Sequence, residues 1–313
     1  MTSCAVVICV YTEDRWDEIL EAVASVRAQQ PPPHDLIVVV DHNPELQAKL
    51  IETLPDVRVV SNHHERGLSG ARNTGVELTT GDVVVFLDDD AAAQPGWLAG
   101  LASHYADPNV LGVGGRIDPH WATARPAWWP PEFDWVIGCS YIGQKAGVVR
   151  NVIGANASFR RELFDDGGFA SDIGRSAMIE RPVGCEETEF CIRANKRHPH
   201  GVFLHDDHAA VSHRVSLGRQ SFSYFRTRCY SEGLSKAQVT RLVGVGAGLS
   251  SERAYTRVTL PLGVFRGIGD TFHGHGAGLL RAAAIVIGLG YTTAGYVIGT
   301  AAGRWRELRS KTR

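Results

Sequence analysis

An α/β fold around a mostly parallel sheet is what the first half of this chain predicts. Three observations point there. Short β-branched apolar runs alternate with amphipathic stretches, as consecutive βα units do. Proline breaks the pattern at a joint between them, and acidic residues gather at the ends of the apolar runs, where open α/β sheets bind ligands.

Taken in order, Ala5 to Tyr11, Leu36 to Val40, Val57 to Val60 and Val83 to Leu87 read as strands, with helices over Trp16 to Gln29, Glu45 to Glu52 and Leu68 to Leu78 between them. Pro31-Pro32-Pro33 stops the first helix, because proline lacks the backbone donor and biases its predecessor away from helical angles. Beyond Val110 the regularity decays into a Gly-rich segment and then a loop dense in Pro and Trp, from Trp121 to Trp135. A helix from Glu186 to Lys196, short strands near Val202 and Val211, and an aromatic-rich helix from Gln220 to Tyr230 follow.

From Arg257 the composition turns to Gly, Ala, Leu, Ile and Val, and the 21 residues from Ala282 to Ala302 carry no charge. That length is near what spans a bilayer, but glycines, threonines and tyrosines dilute it. A spanning helix, an interfacial or re-entrant hairpin and a buried soluble element all remain open. Arg304, Arg306, Arg309, Lys311 and Arg313 follow, a cluster that anionic lipid attracts by about 1 kcal/mol per residue.

The 313 residues hold 32 Lys plus Arg against 34 Asp plus Glu, a formal charge of −2. This balance gives no electrostatic case for nucleic acid as a partner. The six cysteines contain no C-x-x-C pair and are read as reduced and structural. The N-terminus enters the first strand without a basic n-region, so no cleavable secretory signal is expected and the catalytic part is placed in the cytoplasm.

Chemistry concentrates in a few places. Val83 to Leu87 delivers Asp88, Asp89 and Asp90 at the end of a strand. Three adjacent like charges repel unless compensated, which suits a hard divalent cation; Asp88 and Asp90 point the same way along extended chain. The bland alternative is an acidic turn before the helix near Pro95. Asp41 ends the second strand at the same edge, as an acceptor for a base or ribose or as an Asx turn. Arg66 to Gly75 is a glycine-bearing turn entering a helix with Arg72 in its first turns, and backbone donors plus a guanidinium suit a diphosphate. It is neither a P-loop nor a dinucleotide fingerprint.

In this order the pieces resemble glycosyltransferase family 2 over roughly the first 230 residues: Val6 to Thr12, Asp41, the A-R-N-x-G of Ala71 to Gly75, the D-x-D of Asp88 to Asp90, and Pro95-Gly96-Trp97-Leu98. The resemblance implies a GT-A fold, a nucleotide-sugar donor, inverting transfer and a divalent metal, Mg²⁺ or Mn²⁺. It implies Thr12, Asp41, Arg72 and Asp88 as donor contacts, with Asp90 and Asp88 as metal ligands. His213 resembles a histidine that closes over the diphosphate or metal. Glu186-Glu187 stands where members carry a Glu-Asp pair whose second acid is the catalytic base, so Glu187 replaces the usual Asp. Glu13-Asp14-Arg15 departs from the common Asn-Arg.

Gly154 to Arg161, including Asn156, and Gly167-Gly168-Phe169 resemble the acceptor-side segment. Arg226 and Arg228 are candidates for phosphates of an acceptor, and Trp128 in the aromatic loop for stacking on sugar; solvated and packing roles are the alternatives. The expected division is a catalytic domain over 1–230, split at 118 into donor and acceptor halves, and a helical membrane-associating region over 231–313. The expected reaction is transfer from a UDP-sugar to a polyprenyl-phosphate or lipid-linked saccharide at the cytoplasmic face of a membrane. A soluble glycan or small-molecule acceptor, or a non-catalytic nucleotide-sugar binder, are the alternatives.

Overall fold

The computed structural model of the chain describes residues 2–170, 186–243 and 254–311. Strand β1 (Cys4–Val10), helix α1 (Trp16–Arg27), β2 (Asp35–Val40), α2 (Pro44–Thr53), β3 (Arg58–Ser61), α3 (Leu68–Leu78) and β4 (Val83–Asp88) succeed one another as the periodicity predicts. Local chemistry fixes their ends. Asn43 caps α2 by accepting from the Leu46 amide at 3.1 Å, and Pro44 takes the first helical position, where no donor is needed.

The sheet runs in the order β3-β2-β1-β4, all parallel, and continues antiparallel through β8 (Asn156–Arg160). Beyond β8 lie β6 (Val110–Trp121), β9 (Val202–Val215) and β5 (Ala91–Ala93), while β7 (Gly147–Val149) pairs with β9. The sheet is therefore mixed. The two short strands expected near Val202 and Val211 are one continuous strand, β9.

Register places the chemistry. Cys9 of β1 sits beside Asp88, and Val10 beside Val40, the residue before Asp41. The parallel strands thus end level, bringing both acids to one edge. Their interior is Val6, Val7, Ile8, Ile37, Val38, Val39, Val84 and Val85, all fully buried. Such runs suit parallel strands covered on both faces. Phe86, Phe159, Phe164, Phe169, Phe190 and Phe203 pack edge-on and tilted around Phe159, each worth about 1.5–3 kcal/mol of burial when fully enclosed. Helix α5 (Glu186–Arg197) joins this core through Phe190 and Cys191. Helix α4 (Trp97–Ser103) buries Trp97.

By compactness the described residues form two units: 2–118, 145–170 and 186–214 in the first, 119–144, 215–243 and 254–311 in the second. The second unit is helical. Trp121, Trp128, Trp129, Phe133, Phe222 and Phe225 form one aromatic cluster with neighbouring ring centroids 5.3–5.9 Å apart. Trp129 is fully buried and donates to Asp134, which Arg125 clamps with two hydrogen bonds of 2.7 and 2.8 Å. The Pro- and Trp-dense loop is thus a packed core segment.

Helix α6 (Phe222–Val243) and the long α8 (Ala277–Lys311) approach closely enough that a Cβ on Gly233 or Gly295 would overlap backbone of the partner helix. Helix α7 (Leu260–Phe272) packs beside α8 through Gly267 and Gly278. One stretch of α8, Ala277–Gly303, is long and apolar enough to cross a membrane, and most of its most apolar window is not buried. Among the described cysteines none is in a disulfide; Cys185 lies outside the described residues, as do the side chains of Arg304, Arg306, Arg309 and Lys311 and all of Arg313.

Candidate active site

The site is assembled where β1, β2 and β4 end. Asp88 closes β4, and Asp89 and Asp90 form the turn into β5. That short strand pairs Ala91 with His213 of β9, which brings the imidazole back over the acids. Nε2 of His213 lies 3.0 Å from Oδ1 of Asp90, and both residues are buried. Asp88, Asp90 and His213 each offer one ligand atom within 4.8 Å of the others. Two carboxylates and an imidazole are oxygen-rich with one nitrogen, a set that fits Mn²⁺ or Mg²⁺.

Asp89, in the turn, is not part of that ligand set. It accepts from Arg15 at 2.5 Å, and Arg15 also reaches Asp90 Oδ2 at 3.1 Å. Burial pushes the Asp89 carboxyl above its ordinary range; Arg15 opposes this, and the charges of Asp90 and Asp88 add to it. Its buried Oδ2 has no hydrogen-bond partner among the described residues.

Arg72 is the second focus. It is carried by α3, whose Gly75 lies so close to Val7 of β1 that a Cβ there would overlap the valine side chain. This pins the helix against the sheet, and Arg72 is buried, 2% exposed. Its Nη1 donates to Glu187 at 2.6 Å and to Glu186 at 3.4 Å, while Nη2 donates to Asp88 at 3.4 Å. Phe86 and Phe169 lie under it, 5.6 Å from each ring centre. Burial draws the pKa of Arg72 down, but Glu187, Asp88 and Glu186 more than restore it, so the group stays charged. A Cβ on Gly154 would overlap Glu187 Oε1. That glycine therefore leaves room for the Arg72–Glu187 pair.

Asp41 is held by donors: Asn62 Nδ2 at 2.7 Å, the Gly67 amide at 3.0 Å and a contact with His42 Nδ1 at 3.0 Å. His42 has φ of 53°, the left-handed region, which aims the chain away directly after the acid. Thr12 is half-buried and caps the turn after β1 by accepting from the Asp14 amide at 3.2 Å. Glu13 pairs with Lys49. Six carboxylates, Asp41, Asp88, Asp89, Asp90, Glu186 and Glu187, share this edge with two guanidinium groups, an excess of negative charge that favours a bound cation.

The first unit thus gathers Thr12, Asp41, Arg72, Asp88, Asp90, Glu186, Glu187 and His213. Asn156 is a correction. It is fully buried, accepts from Trp97 Nε1 at 2.8 Å and donates to the carbonyls of Arg116 and Ala209 at 3.0 and 2.9 Å. With its amide committed inside the sheet it braces β8 against β6 and β9 and does not face an acceptor. Arg226, Arg228 and Trp128 lie in the second unit: Arg226 exposed on α6, Arg228 half-buried, Trp128 half-buried between Phe222 and Phe225. Gly184 and Cys185, ahead of the acid pair, lie outside the described residues.

Sequence reasoning missed Arg15 and Asn62 as partners of the acids. The available signal was position, since both follow strands whose ends meet at this edge.

Residues 5–168 match the family model described as "Glycosyl transferase family 2". The glucosyl-dolichyl phosphate glucuronosyltransferase of Haloferax volcanii is 35% identical over 239 residues, 74% of this chain and 75% of its own length. The succinoglycan biosynthesis protein ExoM of Rhizobium meliloti is 30% identical over 236 residues, 72% of this chain and 71% of its own. Among solved structures, a mannosyltransferase from Pyrobaculum calidifontis, determined with GDP-Man and Mn²⁺, superposes with a TM-score of 0.55 at 17% identity over 90% of this chain and 85% of its own. That likeness shows a shared fold, the GT-A architecture. On the family match and the long relatives, this chain belongs to glycosyltransferase family 2 and is a glycosyltransferase.

Proposed function

We propose that the enzyme moves a sugar, with inversion, from a nucleoside diphosphate, UDP by expectation, to a polyprenyl-phosphate or lipid-linked saccharide at the cytoplasmic face of a membrane. The observation that carries this reading is the convergence of the Asp88–Asp90–His213 ligand set with the Arg72–Glu187 pair at one sheet edge. The first can grip a diphosphate through a cation; the second offers a base and a positive charge beside it.

Asp41, held in place by Asn62 and Gly67, receives donors of the base or ribose, and Thr12 borders the same place. Asp88 and Asp90, with His213, would hold the divalent ion, which would supply stabilisation of the charge on the departing diphosphate. Glu187 takes the proton of an attacking hydroxyl as that oxygen approaches in line with the breaking anomeric bond. Arg72 holds Glu187 in one rotamer until the donor arrives, and Glu186 and Asp88 hold Arg72. An ionised lipid phosphate needs no base, and then Glu187 serves to place Arg72.

The lipid-linked acceptor is supported by the Haloferax volcanii relative, whose name specifies a glucosyl-dolichyl phosphate. It is supported also by α7 and α8, where Leu262, Phe265, Phe272, Leu279 and Leu280 are exposed. Residues 231–313 on this reading are a membrane-associating region, and Arg226 and Arg228, ahead of it, are acceptor-side phosphate contacts with Trp128 as a sugar-stacking face.

The test is a panel of nucleotide sugars offered with membrane lipid extract in Mn²⁺ or Mg²⁺ and read by mass spectrometry. One donor should yield a glycosylated lipid, and loss of the metal should abolish it. Turnover on soluble glycans alone would overturn the acceptor assignment, and no turnover with any donor would overturn the reaction.

A further inference from the structure

A second group of potential metal ligands lies away from the D-x-D. His63 and His64 follow β3, and Glu77 lies in the last turn of α3. Nε2 of His63 is 2.7 Å from one Glu77 oxygen and Nε2 of His64 is 2.9 Å from the other, with all three ligand atoms within 4.8 Å of one another. The two imidazole rings lie 4.7 Å apart and tilted by 36°, so adjacent residues converge on one carboxylate instead of pointing apart.

The backbone that presents them is tied down independently. The His64 amide donates to the Asn62 side chain at 2.9 Å, Thr74 Oγ1 donates to the same oxygen at 2.9 Å, and the His63 amide donates to Thr74 Oγ1 at 3.3 Å. Thr74 and Glu77 are three residues apart on α3 and share a face. The loop is therefore stapled to the helix face that carries the third ligand, and little order remains to be imposed when an ion enters.

We propose that His63, His64 and Glu77 form a second metal site, selective for a transition ion of the Zn²⁺ class and separate from the hard-cation site at Asp88 and Asp90. Two neutral imidazoles and one carboxylate make the His₂Glu set that Zn²⁺ accepts, with a fourth position left for water. Mg²⁺ prefers oxygen ligands and keeps its waters, so it competes poorly there. A bound ion would replace the two His–Glu contacts and lock the loop to α3. Asn62, which holds Asp41 at 2.7 Å, belongs to that loop, so zinc is expected to rigidify the same side of the donor site.

The experiment is zinc binding by the full-length protein in excess Mg²⁺, measured by competition with a chromogenic chelator and paired with thermal melts. Wild type should bind about one equivalent and gain thermal stability with zinc. His64→Gln and Glu77→Gln should each weaken binding by roughly tenfold or more and abolish the zinc-dependent gain, while Asp90→Asn should keep both. All three side chains are exposed, so these variants should match wild type in metal-free circular dichroism. If His64→Gln alone misfolds, the near-isosteric Glu77→Gln decides. Zinc binding unaltered by Glu77→Gln, or lost in Asp90→Asn, would overturn the proposal. This readout uses neither donor nor acceptor, so it stands or fails apart from the transfer reaction.

Discussion

Arg72 is the residue on which the site is strung, because one buried guanidinium answers Asp88, Glu186 and Glu187. Replacing it with Met should lower stability by about 3 kcal/mol, since it leaves buried Glu186 and half-buried Glu187 and Asp88 uncompensated; urea unfolding measures this. Glu187→Gln keeps the volume and one acceptor for Arg72. Its turnover on a hydroxyl acceptor should fall by about 10²-fold or more with little change in donor KM, while a phosphate acceptor should be nearly indifferent. His205 provides a pH prediction. Burial holds its pKa below the ordinary 6.5, with Asp207 opposing, so protonation favours the unfolded chain. Its stability contribution is complete above about pH 6.5 and is lost as pH falls below that value, and His205→Gln should flatten this loss in melts between pH 7 and 5. The acids, Arg72 and His213 could be picked out from sequence because motif letters sit at strand and helix ends. Arg15 and Asn62 had only their position after strand ends to mark them, since each reaches an acid 21 or more positions away that the folded register brings near. Asn156 misled for the opposite reason: it sits in the acceptor-like segment, but its amide closes hydrogen bonds inside the sheet.

At the scale of elements, glycines decide how closely helices approach. Gly295 of α8 faces the Tyr230 carbonyl of α6, where a Cβ would overlap backbone, whereas Gly290 on the same helix has open space around it. Gly295→Leu should therefore destabilise the protein by about 1–3 kcal/mol, and Gly290→Ala should stabilise it by about 0.4–1 kcal/mol through the unfolded chain. Thermal melts of the pair separate the two effects, and equal shifts would contradict the packing described. The βα alternation was readable because each strand is β-branched and each helix amphipathic. Nothing local told that Val202 and Val211 belong to one strand, because exposed Asp207 and His208 break the apolar pattern in its middle. The aromatic loop left sugar stacking and packing both open, and its rings fill the core of the helical unit.

For the whole molecule, near-neutral charge leaves apolar surface as the main non-catalytic signal. Val286, Val297 and Ile298 of α8 are exposed, as are Phe265 and Phe272 of α7, while the glycine-bearing side of α8 is engaged by α6. A helix so engaged on one side suits lying against a bilayer more than crossing it alone. The protein should float with liposomes, and Phe265→Ser with Phe272→Ser should reduce the floated fraction several-fold without lowering the melting temperature. The uncharged composition of this stretch was plain in the sequence, but which side it shows to solvent depended on the glycine contacts. The central claim, that a cation at Asp88, Asp90 and His213 grips the donor diphosphate, is tested most directly by titration calorimetry of UDP with and without Mn²⁺. Wild type should bind UDP about tenfold or more tightly with the ion present, and Asp90→Asn should lose that gain. Equal UDP affinity in both conditions, or a gain that survives Asp90→Asn, would contradict it.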